Sequence, residues 1–512
     1  MSSSTNSNSL FLQRADESRA QLHKRTFHPV AEVVPRADAK AFQGWALDPV
    51  DEKARVSLLA TNKPVSFILD FGEHIVGHFS FTLIAEGVVD APMRVKMTFG
   101  EVPSEVCEPF DPFKGTLSRG WLQDEMCNVV PTETITIKRR LAFRYVKVET
   151  IDPSSHYPVR FADFACVATT SADYGKLVPY KGPAEFKEID AVAVRTLANC
   201  MQDVFEDGPK RDQRLWLGDL RVMALTNEVT FQDYRLTKRC LYLLAAYAPE
   251  DRLIPSDTYV VPKSCRGATT IFDYAMLFAA TLLEYAKASG DWDTARELWP
   301  IAKRQFDLVL NNHFDANGLF VHAKPYWNFI DWRDGLDKDA SVQGIAIYAL
   351  SRLIELSEKI GTQKDIPDAA GWKKKMIASA LGMKDAKTGL FFSGKEKQLS
   401  WASNIWMILA GVVTPEEGAG LLKQLSERKD AVMPAGPYLY HYVVDAMLHC
   451  GMKQEALDLM RRFWGGMVEK GASTFWEVYD PENDHLSPYG DHHMNSYCHA
   501  WSCTPAYFLR KM

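Results

Sequence analysis

The hydrophobic period of this chain changes once, and that change fixes its architecture. From about residue 64 to residue 169, apolar and polar side chains alternate at every second position. The stretches "PVSFILDFGEHIVGHFSFTLIAEG", "MRVKMTFGE", "TITIKRRLAFRYVKVETI" and "VRFADFACVAT" all show it. A period of two places the apolar side chains on one face of a strand, and turn residues between such runs predict an antiparallel sandwich. From Phe186 onward the spacing becomes i, i+3, i+4, as in "YRLTKRCLYLLAAYA" and "FDYAMLFAATLLEYAKASGD". That is the period of an amphipathic helix. A segment cannot serve both periods, and 512 residues exceed one ordinary core. The chain is therefore predicted to hold a polar, frayed N-terminus over 1–20, a β-sandwich over 21–175 and a helical domain over 176–512. Residues 20–60 are expected to add strands or to wrap the sandwich.

Twelve helical stretches can be read after residue 186, the last over 496–508, which makes six hairpins. No repeat is visible in the sequence, which disfavours a regular solenoid. A closed (α/α)6 toroid fits the count and gathers its loops at one end, where a rigid scaffold can present chemistry.

The bulk numbers exclude several classes. A net charge of −6 leaves no broad basic surface, so no nucleic-acid partner is expected. Nine scattered cysteines with no CxxC pair argue against a disulfide framework and for a reducing compartment. The start of the chain has no apolar core of a secretion signal, and no run of about 18 apolar residues occurs, so neither export nor membrane insertion is expected. The expected location is the cytoplasm.

Three interhelical stretches combine acids with tryptophan. "EDGPKRDQRLWLGDLR", 206–221, carries Asp207, Arg211, Asp212, Trp216 and Asp219 around a Gly-Pro break. "PYWNFIDWRDG" carries Asp331 and Trp332. "GASTFWEVYDPENDHLSPYGDHHMNSYCHAWSC", 471–503, carries Trp476, Glu477, His499 and Trp501. Any one of these could be a solvated loop with local ion pairs, which contribute little. Together they supply acceptors for hydroxyls and flat faces for stacking, a combination that suits a carbohydrate. Two acids from distant loops meeting across a cleft are what glycoside hydrolysis requires. Glu477 lies between large aromatics in sequence, so desolvation is expected to raise its pKa. The run Asp491, His492, His493, Cys498, His499, Cys503 matches no standard zinc spacing such as CxxC or HExxH. No GxSxG and no glycine-rich phosphate loop occur. No metal and no cofactor are expected.

The motif "DGPKRDQRLWLGD" resembles the acidic motif of the α-L-rhamnosidases of glycoside hydrolase family 78. "ILDFGEHIVGHFSF", "FIDWRD", "GASTFWEVYDP" and "NSYCHAWSCTPAYFL" are similar, in the same order, to further parts of that family, over roughly residues 64 to 510. The resemblance implies an (α/α)6 catalytic domain, inverting hydrolysis and no metal in the chemistry. It implies that Asp207 and Asp219 hold sugar hydroxyls, that Trp216 lines the sugar subsite, that Glu477 is the general base and that His499 lies near the site. Counting back from Trp216 puts the general acid at Asp212. Counting forward from Asp207 in the longer form of the motif would put it at Gln213, which cannot donate a catalytic proton. Arg211, Asp331, Trp332, Trp476 and Trp501 are the further candidate binding residues. The expected partner is a small rhamnose-containing glycoside or oligosaccharide, and a homodimer is the assembly to test. Two alternatives stay open at this point: another six-hairpin glycosidase or a polysaccharide lyase on the same toroid, and a catalytically inactive sugar-binding protein.

Overall fold

The computed structural model describes residues 8–50, 63–89, 91–154 and 156–512. It opens with a helix, α1 (Ser9–Glu17), capped by the Asn8 side chain on Phe11 N at 3.2 Å. Phe11 and Ala15, one turn apart, are buried, and α1 lies on helix Tyr234–Ala246 of the second domain. The expectation of a frayed segment over 1–20 is thus corrected for 9–17, where two apolar side chains at helical spacing outweigh a polar composition; residues 1–7 lie outside the described residues.

The β domain contains β1 (His23–Phe27), β2 (Ala31–Ala37), β3 (Trp45–Pro49), β4 (Ser66–Ala85), β5 (Met93–Gly100), a short helix α2 (Ser104–Cys107), β6 (Asp124–Val129), β7 (Glu133–Thr136), β8 (Leu141–Asp152) and β9 (Val159–Thr170). All pairings are antiparallel, in the order β1-β9-β4-β8-β5-β6, with β2 and β7 also pairing with β4, and β3 with β2. The expected strands within 20–60 occur over 23–49, and 51–62 fall outside the described residues. Strand β4 organises the layers. Its first half runs between β2 and β8, with Leu69 opposite Glu32 and Val146. Its second half runs between β7 and β9, with Leu83 opposite Glu133 and Phe161. A break in register separates Asp70 from Ile75, and Phe71 and Ile75, four residues apart, keep the same face inward across it. Phe67, Leu69, Phe71, Ile75, Phe79, Phe81 and Leu83 therefore all enter one core.

The helical domain runs through α3 (Lys187–Cys200), α4 (Leu217–Val229), α5 (Tyr234–Ala246), α6 (Phe272–Ser289), α7 (Trp292–His313), α8 (Asp339–Ile360), α9 (Ala369–Leu381), α10 (Trp401–Leu409), α11 (Pro415–Glu427), α12 (Pro437–His449), α13 (Lys453–Glu469) and α14 (Pro505–Lys511). Alternate helices form an inner ring: α4 packs on α6, α6 on α8, α8 on α10 and α10 on α12. The 3-10 turn Ala500–Ser502 bridges α12 to α4, and α14 closes the ring on α3 and α4. Helix α6 is buried on nearly every side, as an inner helix must be. The helix expected over 496–508 is corrected: 496–499 is extended loop, followed by the 3-10 turn and α14. Tertiary partners take its backbone groups. Tyr497 N donates to Glu101 Oε2 at 2.6 Å, His499 N to Phe475 O at 2.9 Å and Ala500 N to Asp207 O at 2.8 Å. A helical ladder has no claim on those groups.

Candidate active site

The loop after α3 is wound tightly on itself. Asp207 N donates to Arg214 O at 3.0 Å, and Gln213 N to Gly208 O at 3.1 Å. Gly208 has no room for a side chain, since a Cβ there would stand 2.6 Å from Arg211 O and 2.8 Å from Ser496 Oγ. Gln213 adopts φ 58° and turns its amide back onto Pro209 O at 2.7 Å. Asp212, its neighbour, faces the cavity. Lys210, buried beneath, donates to Glu105 Oε1 at 2.6 Å and to His493 O at 3.1 Å, and also to Asn495 O. An acid of the β domain thus holds the loop of the helical domain. The loop then leads through a two-residue strand, Leu215–Trp216, into α4. At Gly218 a Cβ would come within 2.2 Å of Tyr274 Cζ, so glycine is what admits the Tyr274 ring to the cavity wall.

Asp207, Arg211, Asp212, Trp216, Asp219, Trp332, Glu477, His499 and Trp501 line one cavity of about 300 Å³. The three acid-tryptophan loops therefore meet at one end of the toroid. Two candidates do not reach it. Asp331 is buried and spent on the backbone: it accepts from Trp332 N at 2.9 Å, Ala435 N at 2.6 Å and Gly436 N at 2.9 Å. Burial is the larger influence on it and, against those donors, pushes its pKa up to about 6. Its place is to hold the loop that presents Trp332. Trp476 is also corrected. It is 1% exposed and stacks on Phe42 of the β domain with ring centroids 4.1 Å apart. Trp299 and Trp406, within helices α7 and α10, are buried in the core.

Glu477 is held by four hydrogen bonds from three groups. Arg211 Nη2 donates to Oε1 at 2.8 Å and to Oε2 at 2.6 Å, Ser496 N donates to Oε2 at 3.0 Å, and the Tyr489 hydroxyl donates to Oε1. Burial favours the neutral acid and is the largest single influence. The Arg211 guanidinium, His499, Tyr489 and the Ser496 amide together outweigh it and bring the pKa down to about 2. The expectation of a raised pKa is thus corrected: the aromatic neighbours in sequence are less decisive than a guanidinium brought from another loop. The same guanidinium reaches Asp212 Oδ1 through Nη1 at 3.3 Å. It also donates from Nε to Met494 O at 3.0 Å and lies 4.3 Å over the Tyr489 ring.

The floor of the cavity is different. Asp207 and Asp219 are buried, and burial raises the pKa of each well above the ordinary value, with further contributions from Asp212 and Asp219 for Asp207 and from Glu477 and Asp212 for Asp219. His499 stands 4.0 Å from Asp207 and 3.7 Å from Asp219. Burial, helped by Arg211 and opposed by Glu477, lowers its pKa to about 4, so it is neutral at neutral pH. Trp216 Nε1, Asp219 Oδ1, Trp332 Nε1 and His499 Nδ1 are buried with no hydrogen-bond partner among the described residues. Buried polar groups are nearly always paired. A set of unpaired donors and acceptors around one cavity matches a ligand rich in hydroxyls.

The N-terminal domain model of the glycosyl hydrolase family 78 α-rhamnosidases matches residues 29–168, and the bacterial α-L-rhamnosidase six-hairpin glycosidase domain model matches residues 184–512. The chain belongs to the family 78 α-rhamnosidases. Among solved structures it is similar to a rhamnosidase from Klebsiella oxytoca with rhamnose bound, at 41% identity and a TM-score of 0.95, covering 99% of each chain. A family 78 rhamnosidase of Bacillus sp. GL1 shares the fold at 21% identity and a TM-score of 0.75, over 91% of this chain and 49% of that one. A curated α-L-rhamnosidase of Streptomyces avermitilis is 24% identical over 464 residues, and the chain spans 41% of that relative's length.

In this family 78 chain, part of the cavity wall escaped the sequence. Leu117, Ser118 and Trp121 come from a loop of the β domain that packs Phe110 and Leu122 against Tyr489 and Met494. Nothing in the local pattern of 110–122 marks it as part of a site. Tyr489 and Arg214 sit inside the two stretches singled out above, and proximity to Glu477 and Asp212 is the signal that could have found them. Arg214 Nη1 pairs with Asp257 Oδ2 at 3.3 Å and lies 4.2 Å over the Tyr259 ring.

Proposed function

We propose that this family 78 chain hydrolyses terminal α-L-rhamnosides with inversion, Asp212 acting as general acid and Glu477 as general base. The observation that carries the proposal is the Arg211 guanidinium, which touches one carboxylate with each terminal nitrogen. The nitrogens of a guanidinium are about 2.3 Å apart, set by two C–N bonds of ~1.33 Å. With contacts of 3.3 Å and 2.6 Å, the two carboxyl oxygens concerned stand no more than about 8 Å apart, a limit that accommodates the ~6.5–9.5 Å of an inverting pair. The environments of the two acids differ. Glu477 is sealed and ionised. Asp212 is the more open of the two, with 17% of its side chain exposed.

In this reading Asp212 gives its proton to the glycosidic oxygen as the bond to C1 breaks, and Glu477 takes a proton from the water that attacks C1 on the opposite face. Each carboxylate oxygen has two acceptor positions, and protein donors occupy both on each oxygen of Glu477. A water must therefore displace one of them. Arg211 Nη2 serves both oxygens and can release one without losing the ion pair. Asp207, Asp219, His499 and the indole N–H groups of Trp216 and Trp332 would bind the sugar hydroxyls, and the aromatic faces would pack on its methyl group. A cavity of about 300 Å³ favours one terminal sugar of a small glycoside. Among the described residues no helix is long and apolar enough to cross a membrane. All nine cysteines are free, with Cys200 and Cys498 Sγ 3.9 Å apart as thiols, which supports a reducing, cytoplasmic setting.

The test is a panel of p-nitrophenyl glycosides. Release of nitrophenol from the α-L-rhamnoside far above the rest is expected; equal or greater release from another sugar would reject the assignment. An unsaturated uronate product would instead identify a lyase.

A further inference from the structure

Outside the cavity, the most concentrated set of metal-ligating side chains lies where the loop 480–495 meets the β domain. Glu108, just after α2, points its Oε2 between two imidazoles: His492 Nε2 and His493 Nε2 each stand 3.3 Å from it. Neither nitrogen makes a hydrogen bond among the described residues, although both are buried. His493 itself is only 5% exposed. The separation is that of an ion pair, yet no hydrogen bond forms, so both ring nitrogens are left without a partner beside the carboxylate. One ligand atom from each of Glu108, His485 and His492 falls within 4.8 Å of the others. In a tetrahedral site with zinc–ligand bonds of ~2.0–2.1 Å, neighbouring donor atoms are about 3.3–3.4 Å apart, which is the spacing of Glu108 Oε2 from the Nε2 atoms of His492 and His493.

The surroundings are built as a metal site needs. His493 Nδ1 contacts Asp491 Oδ1 at 3.0 Å, the carboxylate–histidine arrangement that fixes a ligating ring. Glu108 Oε1 accepts from Trp45 Nε1 at 2.8 Å, which orients Oε2 toward the histidines. His485 is exposed and its ring lies 4.9 Å from that of His492, so it leaves a path for the ion and can close over it. Imidazole with a single carboxylate favours zinc over calcium or magnesium, which demand oxygen.

We propose that Glu108, His485 and His492 bind one zinc ion, with His493 as the nearest fourth donor. The site joins the two domains and pins the loop that carries Tyr489, whose hydroxyl donates to Glu477 and whose carbonyl accepts from Thr116 N at 2.8 Å. Its role is structural, at a distance from the bond that breaks. The spacing of the histidines hides it from sequence inspection, because the carboxylate comes from the other domain.

The experiment starts from full-length protein stripped with a chelator and dialysed. Zinc titration should give about one bound equivalent per chain and raise the thermal midpoint, and cobalt substitution should give the visible absorption of a tetrahedral site. His485→Ala and Glu108→Gln should each lose the midpoint shift and the cobalt spectrum while remaining folded; His485 is on the surface and its removal disturbs no core. Magnesium and calcium should shift nothing. The proposal fails if the stripped protein takes up no stoichiometric zinc, if bound zinc leaves the midpoint unmoved, or if both variants bind zinc and give the cobalt spectrum as the parent does.

Discussion

Replacing Arg211 with methionine should reverse the pH behaviour of Glu477. With Arg211 present, the carboxyl is held at about 2, against an ordinary 4.5, in spite of complete burial. The gap corresponds to about 3 kcal/mol in favour of the ionised form. Methionine keeps much of the volume and removes the charge and both contacts to the carboxylate. Burial, the largest single influence, then faces only His499, Tyr489 and the Ser496 amide, and Glu477 should titrate above the ordinary carboxylate range. The linkage has opposite signs in the two proteins. In the parent the folded pKa is depressed, so the pair contributes stability above pH ~4.5 that is lost as the pH falls toward 2. In the variant the folded pKa is raised, so an uncompensated buried charge weakens the fold at neutral pH and protonation relieves it. The assay is kcat/KM against pH on a chromogenic rhamnoside, with thermal midpoints over the same range. The parent should show no acidic limb from Glu477 above pH ~4, and the variant should show one, together with a midpoint that rises on acidification relative to the parent. If the acidic limbs coincide and the midpoints fall together, Arg211 is not what keeps Glu477 ionised, and the base has been misassigned.

Asp212→Asn and Glu477→Gln should each lower kcat by about 10²-fold or more, whereas Gln213→Ala, which removes an amide turned back onto Pro209 O, should keep most activity; an active Asp212→Asn enzyme beside an inactive Gln213→Ala one would move the acid by one residue. Proton NMR of the first turnovers should show the β-anomer of the released sugar, and an α-anomer appearing first would reject inversion. Trp476→Ala should destabilise the fold by about 3–5 kcal/mol, read as a lower denaturant midpoint, with KM unchanged in the folded enzyme; a raised KM at unchanged stability would return Trp476 to the cleft.

The fold was legible where burial is periodic. In β4 the apolar odd-numbered residues from Phe67 to Leu83 enter one core on both sides of a break in register, and the inner helices show their burial in their composition. Legibility failed where a few residues decide the outcome. Helix α1 rests on Phe11 and Ala15, too few to stand out in a polar stretch. The segment 496–499 has helical-looking side chains, but its backbone groups are taken by Glu101, Phe475 and Glu477, partners that no local window contains.

The site divides in the same way. Which loops meet could be read from their shared composition, since acids beside tryptophan recur in all three. Which way each side chain faces could not. Asp331 and Trp332 are adjacent, yet one is consumed by three backbone amides and the other lines the cavity. For Glu477 the sequence neighbours Phe475 and Trp476 pointed to an apolar environment and a raised pKa. Both rings are indeed buried, so the desolvation is real, but it is the smaller half of the balance. The deciding charge comes from Arg211, 266 residues away in the chain. A pKa is a sum over space, so a carboxylate's role can be assigned only after the distant members of its shell are known.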